Sequence, residues 1–158
     1  MSDVVRVGLL GCGTVGAAVV RLLDEHRAEI ELRTGMLVEV ARVAVRDPAR
    51  DRGVALPAAA FTDDPDEVAS DPNVDIVCEL IGGTQPALSS LLSAIDHGKP
   101  VVTANKELLA TRGKELFEAA DAKGLDVGFE AAVAGGIPLI RPLKHSLAGG
   151  ASAASWGS

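Results

Sequence analysis

Residues 4–20, VVRVGLLGCGTVGAAVV, join a short apolar run to a helical pattern through a turn that holds three glycines. The run Val4 to Gly11 is nearly all apolar and ends in glycine, which reads as a strand buried on both faces. From Thr14 to Ile30 the pattern becomes helical, with Val15, Val19, Leu22 and Leu23 on one stripe and charges opposite. Between them Gly11, Gly13 and Gly16 fit the spacing G-x-G-x-x-G. Each glycine has a mechanical task there: Gly11 permits the tight turn, Gly13 lets backbone approach a pyrophosphate, and Gly16 lets the helix sit close on the strand. The pyrophosphate would lie on the helix N-terminus, where free N–H groups point outward. Glycine turns also occur for packing alone, so it is the order strand, turn, helix that points to a dinucleotide.

The rest of the chain repeats the alternation. Leu37 to Asp47 reads as a second strand, followed by the polar turn DPARDRG, and a short acidic helix is expected between Pro65 and Ser70. Val74 to Gly83 reads as a buried strand with a glycine-rich end, and PALSSLLSAIDHGKP as a helix stopped by Gly98. PVVTAN is the next strand, capped into a helix by Asn105. That helix runs from Lys106 to its stop at Gly124, with Leu109, Leu116, Phe117 and Ala120 on its core side. Asp126 to Phe129 reads as a further strand, EAAVAGG as a loop, and IPLIRPLKHSL as a helix kinked at Pro142. Strands alternating with helices predict an α/β fold: a Rossmann-like, doubly wound, mostly parallel sheet with helices on both faces. The expected division is a nucleotide-binding domain over 1–147 and a patternless, disordered tail over 148–158, AGGASAASWGS.

Charge narrows the partners. Lys and Arg total 15 against 22 Asp and Glu, a formal charge of -7, with no basic block, so neither nucleic acid nor an anionic membrane is expected as a partner. No apolar run approaches the roughly 18 residues of a membrane span, and the N-terminus lacks a leader pattern. Cys12 and Cys78 form no CxxC and have no zinc-like spacing. They read as two small core hydrophobes in a reduced, cytoplasmic setting.

Two charged residues carry the chemistry. The second strand ends VAVRD, so Arg46 stands where a reader of the NADP 2′-phosphate would be, while Asp47 beside it keeps NAD open through the ribose 2′-OH. Lys106 opens a helix, where a cation faces the positive end of the macrodipole and costs about 0.3–1 kcal/mol.

Four segments taken in order, GLLGCGTVG, CELIGGTQPA, VVTANKELLA and EAAVAGGIPLI, resemble the nucleotide-binding half of homoserine dehydrogenase over about Val5 to Leu147. The resemblance implies oxidation of L-homoserine to L-aspartate 4-semialdehyde with NADP or NAD, or the reverse, in threonine, methionine and isoleucine biosynthesis. It implies that Gly11, Gly13, Thr14 and Val15 hold the pyrophosphate and Arg46 the adenosine ribose. Ile81, Gly82 and Thr103 would then lie along the nicotinamide, and Lys106 would face both nicotinamide and substrate oxygen. It also implies a sodium ion held by Glu130, Val133, Gly135 and Ile137, largely through backbone carbonyls that a Gly-Gly loop can turn inward. The family is homodimeric through a substrate domain that also carries a second lysine. No segment of this chain matches that domain, so truncation is expected, and with it weak or no turnover. The alternative reading is a nucleotide-binding module without catalysis. A semialdehyde dehydrogenase would need a nucleophilic cysteine in a loop, and neither Cys12 nor Cys78 fits.

Overall fold

The computed structural model describes residues 3–83 and 85–129. Six strands form one sheet in the order β3-β2-β1-β4-β5-β6: β1 (Asp3–Leu10), β2 (Met36–Ala44), β3 (Phe61–Thr62), β4 (Ile76–Glu79), β5 (Val101–Thr103) and β6 (Val127–Phe129). Every neighbouring pair is parallel. The chain winds outward from β1 through β2 to β3, returns to the other side of β1 at β4, and continues outward to β6. The strand order therefore reverses beside β1, and ligands of open α/β sheets bind at that reversal, outside the carboxyl ends of the strands.

Alternation along the strands splits the core in two. Val5, Val7 and Leu9 of β1, Ile76 and Cys78 of β4 and Val102 of β5 pack with α1 (Thr14–Glu25) and α2 (Arg27–Thr34). Leu10, Val77 and Val101 belong to the opposite face, with α3 (Pro65–Ser70), α4 (Ala87–Asp96) and α5 (Lys106–Lys123). Helices thus cover both faces, as expected. Burying both faces explains why β1 and β4 read as continuous apolar runs. Both cysteines are free and buried, as small core residues.

Local signals set several boundaries. Asp64 accepts the Asp66 N–H at 2.9 Å and Pro65 fills the first helical position, so α3 spans the residues read from sequence. Asn105 accepts the Leu108 N–H at 3.0 Å to start α5, and Gly124 ends it in the left-handed conformation.

Other details differ from expectation. The helical stretch after Thr14 breaks at His26 into α1 and α2. Val15 is 52% exposed and Leu22 only half-buried, and Gly16, Ala17 and Val20 complete the buried stripe with Val19 and Leu23, because the helix meets the sheet about one residue out of the expected phase. On α5 the capped phase buries Leu108 with Leu116 and Ala120, leaving Leu109 and Phe117 half-buried. Strand β3 is unexpected. Its two residues pair with Val43 and Ala44, too short a run to show any period. The expected loop, helix and tail over 130–158 lie outside the described residues.

Candidate functional site

The glycine turn is wedged between two strand ends. Gly11 has φ +100°, donates its N–H to the Ala44 carbonyl at 2.8 Å, and would bring an added Cβ to 3.1 Å from the Leu80 backbone. A Cβ on Gly16 would stand 2.6 Å from the Gly11 carbonyl oxygen, so α1 can lie on the turn only with glycine there. Gly13 is different. Its φ is -80° and its ψ -147°, outside the usual extended range, yet an added Cβ would meet nothing within 4 Å. The chain's own packing gives no reason for glycine at this position; an approaching ligand does.

The helix behind the turn is open to an anion. Helix α1 has no side-chain cap and no acidic residue in its first turn, while its first backbone hydrogen bond joins Ala17 N–H to the Gly13 carbonyl at 2.9 Å. The preceding amides of Thr14, Val15 and Gly16 are among those a helix leaves without internal partners, at the positive end of the macrodipole. Thr14 and Val15 are exposed. A pyrophosphate fits this cradle in charge and in space. Cys12 is buried inside the turn, and that burial pushes its thiol pKa up, away from nucleophilic use.

Arg46 lies two residues beyond the Leu10–Ala44 pair, exposed at the carboxyl end of β2. Asp47 is exposed too, and its Oδ1 accepts the Ala49 N–H at 3.1 Å. Among the described residues no ion pair joins the two. The Asp47 carboxylate accepts within its own turn, and the Arg46 side chain stays exposed beside it.

On the other side of the turn stands a residue that sequence reasoning passed over. Glu79, fully buried at the end of β4, accepts the Ile81 and Gly82 N–H groups on Oε2 at 2.8 and 2.9 Å and the Thr103 hydroxyl on Oε1 at 2.7 Å. Thr103 Oγ1 in turn accepts the Asn105 N–H at 3.0 Å, and Asn105 Nδ2 donates to the Gly83 carbonyl. Thr103 is fully buried, so its hydroxyl is committed inside the protein. Ile81, at 37% exposure, and Gly82 form the accessible rim. The only sequence signal for Glu79 is one charge within an apolar run, IVCELIGG.

Lys106 is exposed at the first position of α5, next to the Asn105 cap, and among the described residues has no hydrogen bond or ion pair. Its placement at a helix start is as unfavourable as the sequence implied, with Glu107 following on the favoured side. The Leu80 N–H donates to Leu10 at 2.8 Å, so the rim runs without a gap from Gly11–Gly16 through Ile81–Gly83 to Asn105 and Lys106. One end offers anion-binding amides and the other the ammonium of Lys106. The expected cation ligands Glu130, Val133, Gly135 and Ile137 lie outside the described residues. Among those described, no three His, Cys, Asp or Glu side chains form a metal-holding group, and no helix is long and apolar enough to cross a membrane.

Comparison with known proteins places the chain in a family. The family model for the homoserine dehydrogenase NAD-binding domain matches residues 11–130. A homoserine dehydrogenase of Synechocystis is 46% identical over 145 residues, covering 92% of this chain and 33% of that protein. One from Bacillus subtilis is 43% identical over 143 residues, covering 90% and 33%. The crystal structure of a homoserine dehydrogenase from Thiobacillus denitrificans superposes with a TM-score of 0.75 at 45% identity, over 94% of this chain and 35% of that one. The chain therefore spans about a third of the length of the relatives it matches. With the glycine turn, the strand order and the sequence in accord, this chain belongs to the homoserine dehydrogenase family and comprises its NAD-binding domain.

Proposed function

We propose that the chain binds NADP along the rim from Gly11 to Lys106, and that within a complete family active site it serves the oxidation of L-homoserine to L-aspartate 4-semialdehyde and its reverse. The observation that carries this reading is Gly13. It is a glycine with empty space where a side chain would stand, at the mouth of an uncapped helix.

Gly11, Gly13, Thr14, Val15 and Gly16 would hold the pyrophosphate through backbone amides. Arg46 would meet the 2′-phosphate of NADP, the choice favoured over NAD because Asp47 is occupied with its own turn. Ile81 and Gly82 would flank the nicotinamide. When bound, the nicotinamide supplies a hydride acceptor for the carbinol carbon of the substrate. Lys106 would face the substrate hydroxyl, orient it, and take part in moving its proton as the aldehyde forms. An exposed ammonium at the positive end of α5 is poorly compensated by its own helix, so an oxygen gaining negative character is the partner it lacks.

By itself the chain is proposed to bind nucleotide without efficient turnover. The test has two arms. NADP+ should saturate the 158-residue chain at one site, while added L-homoserine should yield little NADPH. In a fusion of this chain to the substrate domain of a family member, Lys106→Ala should lower kcat by more than about tenfold, as expected for loss of a group acting on the transferred proton. Survival of turnover within that factor would remove Lys106 from the chemistry.

A further inference from the structure

We propose that Glu79 is a positioning residue that fixes the nicotinamide-side rim and the start of α5 as one unit, and so sets where Lys106 stands. The inference rests on the nucleotide-binding reading above. A carboxylate with no accessible surface is costly unless its oxygens are fully engaged, and among the described residues Glu79 has no cationic partner. Three donors engage it instead. Two are consecutive amides of the β4–α4 loop, Ile81 and Gly82, and the third is the hydroxyl of its cross-strand neighbour Thr103.

These bonds close a circuit. From Thr103 it passes to the Asn105 amide, from the Asn105 side chain to the Gly83 carbonyl, and along the loop back to the amides that Glu79 holds. The same Asn105 caps α5 by accepting the Leu108 N–H at 3.0 Å. Lys106 is the first residue of the helix, directly after that cap. Any displacement of the Ile81–Gly83 loop is thereby passed to the first turn of α5. An apolar residue in place of Glu79 would leave two amides and a buried hydroxyl unpaired. None of the circuit's hydrogen bonds reaches the phosphate turn, whose Gly11 amide is held by Ala44 on β2 and which meets the loop only ahead of Ile81, where the Leu80 N–H donates to the Leu10 carbonyl.

The 158-residue chain itself can be tested, first without nucleotide. Glu79→Gln keeps the side chain's size but supplies only one acceptor oxygen. It should speed amide hydrogen exchange about tenfold or more at Ile81, Gly82, Asn105 and Leu108 together, the scale of one lost hydrogen bond to a charged group, with Val5 and Val7 unchanged. Thr103→Val should speed Asn105 and Leu108, and Thr103→Ser, which keeps the hydroxyl, should match the unaltered chain. This pair decides the matter even where Glu79→Gln does not fold. Faster exchange at Ile81 and Gly82 with Asn105 unmoved would overturn the coupling.

Binding separates the two ends. Glu79→Gln, or Thr103→Val, should weaken NADP+ while leaving adenosine 2′,5′-bisphosphate, which lacks the nicotinamide, bound as before. Equal weakening of both would reduce Glu79 to general stability and overturn the proposal. Absence of binding by the unaltered chain would remove the nucleotide reading, and the exchange pattern would still decide the circuit.

Discussion

The carbonyl oxygen of Gly11 lies 2.6 Å from where a Cβ on Gly16 would stand. That gap is below any ordinary contact, and both neighbours are backbone, which cannot swing aside. Gly16→Ala should therefore push α1 off the turn and destabilise the fold by about 1–3 kcal/mol, the range for overpacking a filled site. Chemical denaturation of the two forms measures the difference.

Gly13→Ala should do the reverse. Free space for the added methyl keeps the cost to the folded chain to about 1 kcal/mol, that of exchanging glycine for alanine at a helix N-cap. Nucleotide affinity should fall by about tenfold or more, because the added methyl occupies the approach to the pyrophosphate. Calorimetric titration with NADP+ beside a melting curve separates the two effects.

Cys78 makes an alkaline prediction. Its complete burial, with the Glu79 charge adding to it, pushes the thiol pKa from 9.0 up to about 12. Between those values the unfolded chain has lost a proton that the folded chain keeps. The unfolded state binds fewer protons there, so stability falls as pH rises, by up to about 1.4 kcal/mol per pH unit from this group. The burial that lowers the Lys99 pKa acts with the opposite sign and favours the fold as pH rises toward 10.5. Cys78→Ala should lower stability at pH 7 yet flatten its decline above pH 9. Urea midpoints across that range show the slope.

Lys99 lies at the opposite end of the sheet, before β5, and its Nζ donates to the Asp71 and Val74 carbonyls, each at 2.7 Å. It ties the approach to β4 to the approach to β5 and touches nothing in the rim. Lys99→Met, which keeps the aliphatic stem, should cost about 1–3 kcal/mol by taking a buried donor from the Val74 carbonyl, while the Asp71 carbonyl keeps the Val74 N–H, with NADP affinity unchanged once the chain is folded. Parallel denaturation and binding measurements check both halves.

Where structure is decided by near neighbours, it was legible in the residues. The approach of Gly16 to Gly11, the Asp64 and Pro65 start of α3 and the Asn105 cap each depend on contacts within a few positions. The place of Lys106 was legible as well, a cation set directly after the Asn105 cap at the positive end of its helix. Strand β3 was not, because its two residues are extended only by pairing with Val43 and Ala44. The exposure of Val15 and the burial of Leu108 depend on where each helix meets the sheet, which periodicity leaves open by one residue. Glu79 was hidden for the same kind of reason. Its donors include a hydroxyl 24 positions away, brought opposite it only by the register of β4 and β5.

The central claim is that one nucleotide lies along a single rim from the glycine turn to Lys106. Titrating NADP+ into the isotopically labelled chain and following amide NMR signals tests it most directly. Shifts should concentrate at Gly11 to Gly16, Arg46, Ile81, Gly82 and Lys106, saturating together with one dissociation constant. Shifts confined to other surfaces, or a spectrum unchanged by the nucleotide, would contradict it.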